Sequence, residues 1–450
     1  MFIIYSFLTL SALLLSLFLF KCSIGSFNLN KINLNAFLFY KDILLMTLIG
    51  SVFVVSDFDL KNNFYFWGIT GHVYELARLK GWLAIIYFII AYPVGMILSN
   101  IVFENKFSSD RFILYREKSI IGNTKVFSIV SFVFNFIALL SLIYVYSKLK
   151  TIPWFLLFSG ADASSLAISR TFAKINFEGS FFIKDMIMLK LPIILSYLNY
   201  ILIKSNDTLI NRFNFLLSTI IAFLSLTYSL EKAPLLFFLF GFLFLKVLLG
   251  ETLKYKKIIY FALFVFFIIF IQLYLIMDFD SVGLILEKIS IRIFIAQTAA
   301  VFQAFEFVPK YHDFIHPATL SGSVASVFGV EPMHYGRVLF SLYNYKDFSN
   351  GEAGYIVGNI VAESWMMFGY LGVVLLPIWV GFFVSSISHI IFKLPKHPVF
   401  IAIYAQIAIT TSLNGGVAVF INIVSFLIPF IYGFMFLFSI FLFKLILVRR

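Results

Sequence analysis

Long apolar runs separated by short charged segments recur along the whole of this sequence. A helix that crosses a bilayer needs about 20 mostly apolar residues, and run after run of that length is present. Hydrophobic residues make up 61% of the 450 residues and charged residues only 12%, proportions that exclude a string of soluble domains. The sequence therefore predicts an all-helical polytopic membrane protein with a single membrane domain over residues 1–450.

Eleven of these runs are predicted to span the membrane. They cover residues 1–20, 36–56, 82–103, 126–147, 186–203, 213–230, 233–249, 258–278, 366–392, 398–413 and 417–444. With the C-terminus in the cytoplasm, the short loops on that side hold dense basic clusters, as the positive-inside rule requires. An odd number of spans then places the N-terminus in the periplasm. The 60 Phe residues are typical of the amino-acid usage of an AT-rich bacterial genome.

Some kinds of chemistry are disfavoured by the residues that are scarce. Cys22 is the single cysteine, which excludes a disulfide framework and a thiolate metal cluster. His312, His316 and His334 match no zinc-binding spacing. We therefore predict neither a metal nor another cofactor.

The predicted spans contain few charges. The charged residues predicted to lie inside the spans are Lys190 and Lys246. Each is near a predicted helix end, from which a lysine side chain reaches the membrane interface. Ion-coupled transporters usually carry ionisable groups near mid-membrane. The pattern therefore disfavours a transporter.

Residues 279–365 are predicted to form a large periplasmic loop with amphipathic helices. One helical stripe within it would consist of Arg292, Ala296, Ala299, Gln303 and Glu306. The small residues beside Arg292 would leave room for a ligand. The alternative is an interfacial helix whose polar side faces water.

A second stripe precedes the ninth predicted span. Its polar members share one helical face and are Glu352, Tyr355, Asn359 and Glu363. The adjoining face carries small residues every four positions, a spacing that lets another helix backbone approach closely. The acids need another explanation, because a carboxylate at the membrane boundary is costly unless it faces a polar cavity or a cation.

Arginine, lysine, glutamate and histidine at an outer membrane surface suit one reaction in particular. Arg and Lys bind phosphate groups, and a carboxylate or an imidazole accepts the proton of an attacking hydroxyl. A lipid diphosphate presents its charged head at this depth while its tail stays in the bilayer. The predicted reaction is the transfer of a glycan from a polyprenyl diphosphate.

The run GEAGYIVGNIVAESWMMFGYLGVVLLPIWVGFF resembles the C-terminal signature of the Wzy-type oligosaccharide repeat unit polymerases of O-antigen and capsule synthesis. The matching positions are Gly354, Gly358, Glu363, Trp365, Phe368, Gly369, Gly372 and Gly381. The resemblance implies a fold similar to the GT-C-type membrane glycosyltransferases, with about eleven transmembrane helices and a periplasmic active site. It also implies that the donor and the acceptor are undecaprenyl-diphosphate-linked glycans and that membrane lipids surround the protein. A Wzz-type chain-length regulator and a flippase would be partner proteins, and no nucleic acid is involved.

Basic residues are assigned to the diphosphate by this resemblance. Arg292, Arg337 and Lys232 would bind the leaving diphosphate, and Arg292 would offset charge that develops as the glycosidic bond breaks. Lys232 stands just after the sixth span, where many relatives have Arg. Arg170, with Lys174 nearby, would hold a second lipid diphosphate or face lipid head groups.

The remaining candidates concern the acceptor. Glu363 or His334 would act as general base toward the acceptor hydroxyl. Glu352, Tyr355 and Asn359, on the same face as Glu363, would bind the acceptor glycan.

Three other functions fit parts of the sequence. An O-antigen ligase shares the architecture and the lipid donor, but its usual outer-loop histidine is followed by Asn, Ser or Gln, whereas His334 precedes Tyr335. A lipid-linked oligosaccharide flippase or another transporter would need charge near mid-membrane. A membrane scaffold without catalysis would tolerate substitution of the outer Arg and Glu residues.

Overall fold

The structure is a computed structural model. It describes residues 1–28, 33–57, 73–121, 125–161, 163–174, 177–254, 256, 259–260, 263–264, 266–267, 270, 282–315, 322–331, 333–343, 345–349, 356, 358–422 and 424–448.

All regular secondary structure in these residues is helical. The helices are α1 (Phe2–Ile24), α2 (Leu34–Ser56), α3 (Glu75–Val102), α4 (Ser108–Glu117), α5 (Lys125–Ser147), α6 (Pro153–Phe158), α7 (Ala163–Lys174), α8 (Phe182–Ser205), α9 (Leu209–Thr227), α10 (Lys232–Leu248), α11 (282–307), α12 (Gly322–Val327), α13 (Tyr335–Tyr343), α14 (Tyr345–Ser349), α15 (Ile360–Lys393), α16 (Pro398–Thr410), α17 (Ala418–Ile421) and α18 (Val424–Val448). Three of them contain π-helical turns, at Phe39–Leu48 in α2, Phe182–Met188 in α8 and Ile291–Ile295 in α11.

Eight helices in the described part of the chain are long and apolar enough to cross a membrane. They are α1, α2, α3, α5, α8, α9, α15 and the Phe426–Leu445 part of α18. The predicted spans 233–249 and 398–413 correspond to shorter apolar helices, and most of the predicted span 258–278 lies outside the described residues. The all-helical, multi-pass membrane class is thus confirmed, while the count of eleven spans stays a prediction.

The chain divides into two compact units, the first of which contains residues Met1–Ile113, Phe279–Ile390 and Thr411–Val424. In this unit α1 packs along α3, and their polar groups meet inside the apolar interface. The indole of Trp82 donates to Thr9 Oγ1 at 3.1 Å, and the hydroxyl of Ser16 donates to the carbonyl of Ile89 at 2.5 Å. Such hydrogen bonds satisfy groups that water cannot reach in a bilayer.

The second unit contains residues Leu114–Asp278, Ile391–Thr410 and Ser425–Arg450. Buried serine and asparagine side chains join its helices α5, α8 and α9. Ser128 donates to Asn211 Oδ1 at 2.6 Å, Ser131 donates to Asn199 Oδ1 at 2.6 Å, and Asn199 Nδ2 donates to the carbonyl of Asn214 at 3.2 Å. These contacts fit the role of interhelical polar residues in membrane proteins.

Helix α15 begins at Ile360 rather than near the predicted 366, and it bends at Gly369. The bend has φ +57° and ψ −138°, a backbone conformation that is strained for residues with a side chain. Just beyond it, Gly372 lies so close to the carbonyl of Ser364 that any side chain would overlap it. Gly369 and Gly372 therefore shape the backbone of α15.

Candidate functional site

A buried carboxylate lies in the first turn of α15. Glu363 is 3% exposed, and its Oε2 atom accepts the backbone N–H of Ala418 at 2.8 Å. Asn359 starts the helix, because its Oδ1 atom accepts the N–H of Val361 at 3.1 Å. The predicted helical stripe does not run through Asn359, because Asn359 caps the helix and lies just before its first residue, Ile360.

Glu363 faces an irregular stretch of chain, residues 411–418, which we call the bridging segment. A short 3-10 turn, Leu413–Gly415, interrupts the path between α16 and α17. Gly416 has φ +93° and lies directly against Glu363 Oε2, so only a residue without a side chain fits there. Asn359 Nδ2 donates to Asn414 Oδ1 at 3.4 Å and to Thr47 Oγ1 at 3.0 Å.

Asn359 therefore has little capacity left for a glycan. Its side chain is 0% exposed, and both its amide nitrogen and its amide oxygen already have protein partners. This geometry favours a structural role over the predicted contact with the acceptor.

Tyr335 connects Glu363 with the surface. The Tyr335 ring is buried, its hydroxyl lies against Gly358, and its edge borders the same Gly416 position as Glu363. His334 stacks on the Tyr335 ring, with ring centroids 4.9 Å apart, and keeps contact with solvent. The structure thus brings Glu363 and His334 into one neighbourhood, with Tyr335 between them.

The ionisation of these two aromatic side chains follows from their surroundings. Partial desolvation lowers the pKa of His334, so its imidazole is neutral at pH 7. Burial, followed by the charge of Glu363, raises the pKa of the Tyr335 hydroxyl, which stays protonated. The neighbourhood therefore offers a carboxyl group, a neutral imidazole and a phenol.

Arg337 is exposed on α13, one turn from His334. Its backbone N–H donates to the carbonyl of His334 at 2.9 Å, and its guanidinium lies 5.8 Å from the centroid of the Phe348 ring. The cation is available to a ligand on the solvent side of the same helix that carries Tyr335.

The predicted stripe through Arg292 is wrong. Arg292 is exposed on the π-helical turn Ile291–Ile295, whereas Gln303 and Glu306 are buried. A π turn contains more residues than an α turn, so it rotates Arg292 relative to positions further along the helix. The four-residue spacing holds only for an uninterrupted α-helix.

Three basic residues of the prediction, Arg170, Lys174 and Lys232, belong to the second unit. Arg170 on α7 donates from Nε to the carbonyl of Ser229 at 3.1 Å, and Lys174 forms an ion pair with Glu231. Lys232 is the first residue of α10, next to Glu231, but its side chain lies outside the described residues. Glu352 and Tyr355 lie wholly outside them.

The sequence interpretation missed a buried ion pair in α2. Asp42 is 0% exposed and Lys41 is 9% exposed, with Lys41 Nζ 3.5 Å from Asp42 Oδ1. The statement that Lys190 and Lys246 are the charges inside spans is therefore wrong. The available signal was a Lys-Asp dipeptide at the start of the predicted span 36–56.

A second lysine-aspartate pair occurs in the same local setting in α8. Both pairs lie in π-helical turns that share the pattern Phe-x-Lys-Asp, and Lys184 Nζ is 3.8 Å from Asp185 Oδ1. Lys184 is 2% exposed and donates to the carbonyl of Lys174 at 2.7 Å, but Asp185 is 46% exposed. The two pairs therefore differ in whether the carboxylate is buried.

Comparisons with known proteins assign no family to this chain. No family model, no curated protein and no solved structure matches the chain. Within the part of the chain that the structure describes, no group of three or more His, Cys, Asp or Glu residues is arranged to hold a metal ion. The fold defines a multi-pass helical membrane protein, and the candidate site in its first unit is a buried acid beside a neutral imidazole.

Proposed function

We propose that this protein is a Wzy-type oligosaccharide repeat unit polymerase, a GT-C-like membrane glycosyltransferase with about eleven spans. The proposal rests on one observation above all, the burial of Glu363 at the start of α15. A glutamine could accept the same backbone N–H without the cost of a buried carboxylate. The presence of an acid rather than an amide at this position, near Tyr335 and His334, supports a role in proton transfer.

The reaction would join a lipid-linked repeat unit to a growing glycan. A hydroxyl oxygen of the acceptor attacks the anomeric carbon of the donor, and the bond from that carbon to the diphosphate oxygen breaks. Undecaprenyl diphosphate leaves with the electron pair, and the hydroxyl proton passes to Glu363 or His334 as general base. Tyr335 would keep the two groups in one arrangement.

Exposed cations would stabilise the leaving diphosphate. Arg337 shares a helix with Tyr335, and Arg292 is solvent-exposed on α11 in the same unit. Lys232 and Arg170 are candidates for a diphosphate in the second unit. Glu352 and Tyr355 remain candidates for the acceptor glycan, whereas we assign Asn359 to holding the bridging segment.

The proposed setting is the bacterial inner membrane. The active site would face the periplasm, with the N-terminus on that side and the C-terminus in the cytoplasm. A flippase would supply the lipid-linked repeat units, and a Wzz-type regulator would set the chain length.

The gel profile of surface polysaccharide tests this function. In a deletion strain complemented with the Glu363→Gln variant, we expect the long glycan chains to be lost. Lipid capped with a single repeat unit should be retained. Glu331→Gln is the matched control, because Glu331 is exposed and has no part in the proposed site. A normal ladder from both Glu363→Gln and His334→Ala would refute the assignment, and loss of all capping would indicate a ligase.

The buried Lys41–Asp42 pair favours a second candidate, a flippase or another transporter. Charge inside a membrane helix is typical of substrate or ion pathways. Accumulation of unflipped lipid-linked repeat units in the deletion strain would support this candidate over a polymerase.

A further inference from the structure

Buried carboxylates contact the bridging segment near both of its ends. Glu363 on α15 accepts the N–H of Ala418, and Asp42 Oδ2 on α2 accepts the N–H of Leu413 at 2.8 Å. Buried backbone outside a helix needs partners of this kind. The two acids hold the same short stretch of chain.

Lys41 completes the contact at the first end. Its Nζ atom donates to the carbonyl of Thr411 at 3.3 Å and lies 4.9 Å from the centroid of the Phe37 ring. Lys41 therefore bonds the carbonyl of Thr411, and Asp42 bonds the N–H of Leu413, on either side of Ser412. Because Asp42 is fully buried and Lys41 is only 9% exposed, loss of either would leave the other charge uncompensated.

The contacts continue without a break from Asp42 to Glu363. Asn414 follows Leu413 and is bonded to Asn359, the residue that caps α15. Gly416 then lies against the Glu363 carboxylate, and Ala418 donates to it. A displacement at Leu413 would reach Glu363 through backbone that is bonded at each end.

We infer that Asp42, supported by Lys41, is a positioning residue for Glu363. By anchoring the bridging segment, it holds the N–H group that orients the Glu363 carboxylate. The inference rests on the proposed function, in which Glu363 transfers a proton.

The Lys184–Asp185 pair provides a matched control within the same chain. It occupies a π-helical turn of the same sequence pattern, but its carboxylate is half-exposed and it belongs to the second unit. Removal of Asp185 therefore tests for a general effect of losing an aspartate from a π-helical turn.

Labelling of Glu363 by dicyclohexylcarbodiimide measures its state without any glycan substrate. The reagent adds to a protonated carboxyl group, and the adduct is quantified by mass spectrometry of the peptide from purified full-length protein. At a pH where Glu363 is mostly ionised, we expect the labelling rate of Glu363 in Asp42→Ala to rise about fivefold, the factor that loss of one hydrogen bond to the carboxylate corresponds to. In Asp185→Ala, Glu363 should be labelled at the wild-type rate.

A conservative variant separates positioning from charge. Lys41→Met combined with Asp42→Asn removes both charges but keeps an amide oxygen for the N–H of Leu413, so labelling should return toward the wild-type rate. Asp42→Glu retains the charge and lengthens the side chain by one methylene, and it replaces Asp42→Ala if that variant does not fold. Wild-type labelling in a folded Asp42→Ala or Asp42→Glu protein would overturn the inference.

The polysaccharide ladder of each variant is recorded in parallel. Faster labelling in Asp42→Ala with a normal ladder in both Glu363→Gln and His334→Ala would refute the polymerase assignment and keep the positioning role. Unchanged labelling in Asp42→Ala with no long chains in Glu363→Gln would do the reverse.

Discussion

Gly381 of α15 lies directly against the backbone of Tyr92 of α3, where any side chain would overlap the Tyr92 carbonyl oxygen. The contact is reciprocal, because Gly95 of α3 lies against the carbonyl of Ile378. Two membrane helices thus come into backbone contact, as small residues at helix interfaces allow. Gly381 therefore has a packing role.

Gly381→Ala should lower the stability of the purified protein. The added methyl group meets backbone atoms, which cannot move aside, so a cost of about 1–3 kcal/mol is expected. Thermal unfolding in detergent measures it. Gly415→Ala is the control, since a side chain there meets nothing within 4 Å. Equal melting temperatures for the two variants would contradict the packing role.

Trp365 stacks on Phe305, with ring centroids 4.3 Å apart, and its indole donates to the carbonyl of Val308 at 3.0 Å. Trp365→Phe keeps a ring for the stack but loses the hydrogen bond, at a cost of about 1 kcal/mol. Trp365→Ala loses both and should cost about 3–5 kcal/mol. Thermal unfolding should rank wild type above Trp365→Phe and Trp365→Ala last. Any other order would mean that the stack does not carry the stability.

His334 should make stability depend on pH. Its folded pKa lies below the ordinary 6.5, so the unfolded chain binds the proton first as the pH falls. Its contribution is complete above pH 6.5 and is lost as the pH drops through the lowered folded pKa. When the pH is lowered from about 7.5 to about 5, the melting temperature of the wild type should fall further than that of His334→Gln. Other titrating groups, such as His397, are common to both proteins and cancel. Parallel plots of melting temperature against pH for the two proteins would contradict the lowered pKa of His334.

Arg292→Ala should leave the protein folded in the membrane but abolish long glycan chains. The side chain is exposed, so little packing is lost, whereas the proposed reaction would lose a cation that offsets charge on the leaving diphosphate. Immunoblotting measures expression, and the polysaccharide gel measures the product. Arg212→Ala, at another exposed arginine, should keep the ladder. A normal ladder from Arg292→Ala would remove Arg292 from the site.

The long apolar helices were predictable because twenty apolar residues in a row leave few alternatives. The run 2–24 and the run 125–147 became α1 and α5 with nearly the predicted ends. Arg292 was placed incorrectly because helical spacing assumes an unbroken α-helix, and the π-helical turn in α11 could not be predicted from periodicity. Glu363 was singled out by its cost at the membrane boundary, but its partner Ala418 lies 55 residues away in sequence.

Local composition by itself determined that this chain is helical and crosses a membrane many times, because the bilayer demands internally satisfied backbone in every apolar run. The regularly spaced glycines and the isolated acids were also visible in the sequence. Only the tertiary structure decided what those residues contact. Asp42 and Glu363 come from helices far apart in the chain and meet one bridging segment, and such pairings are set by packing between helices that no local pattern encodes.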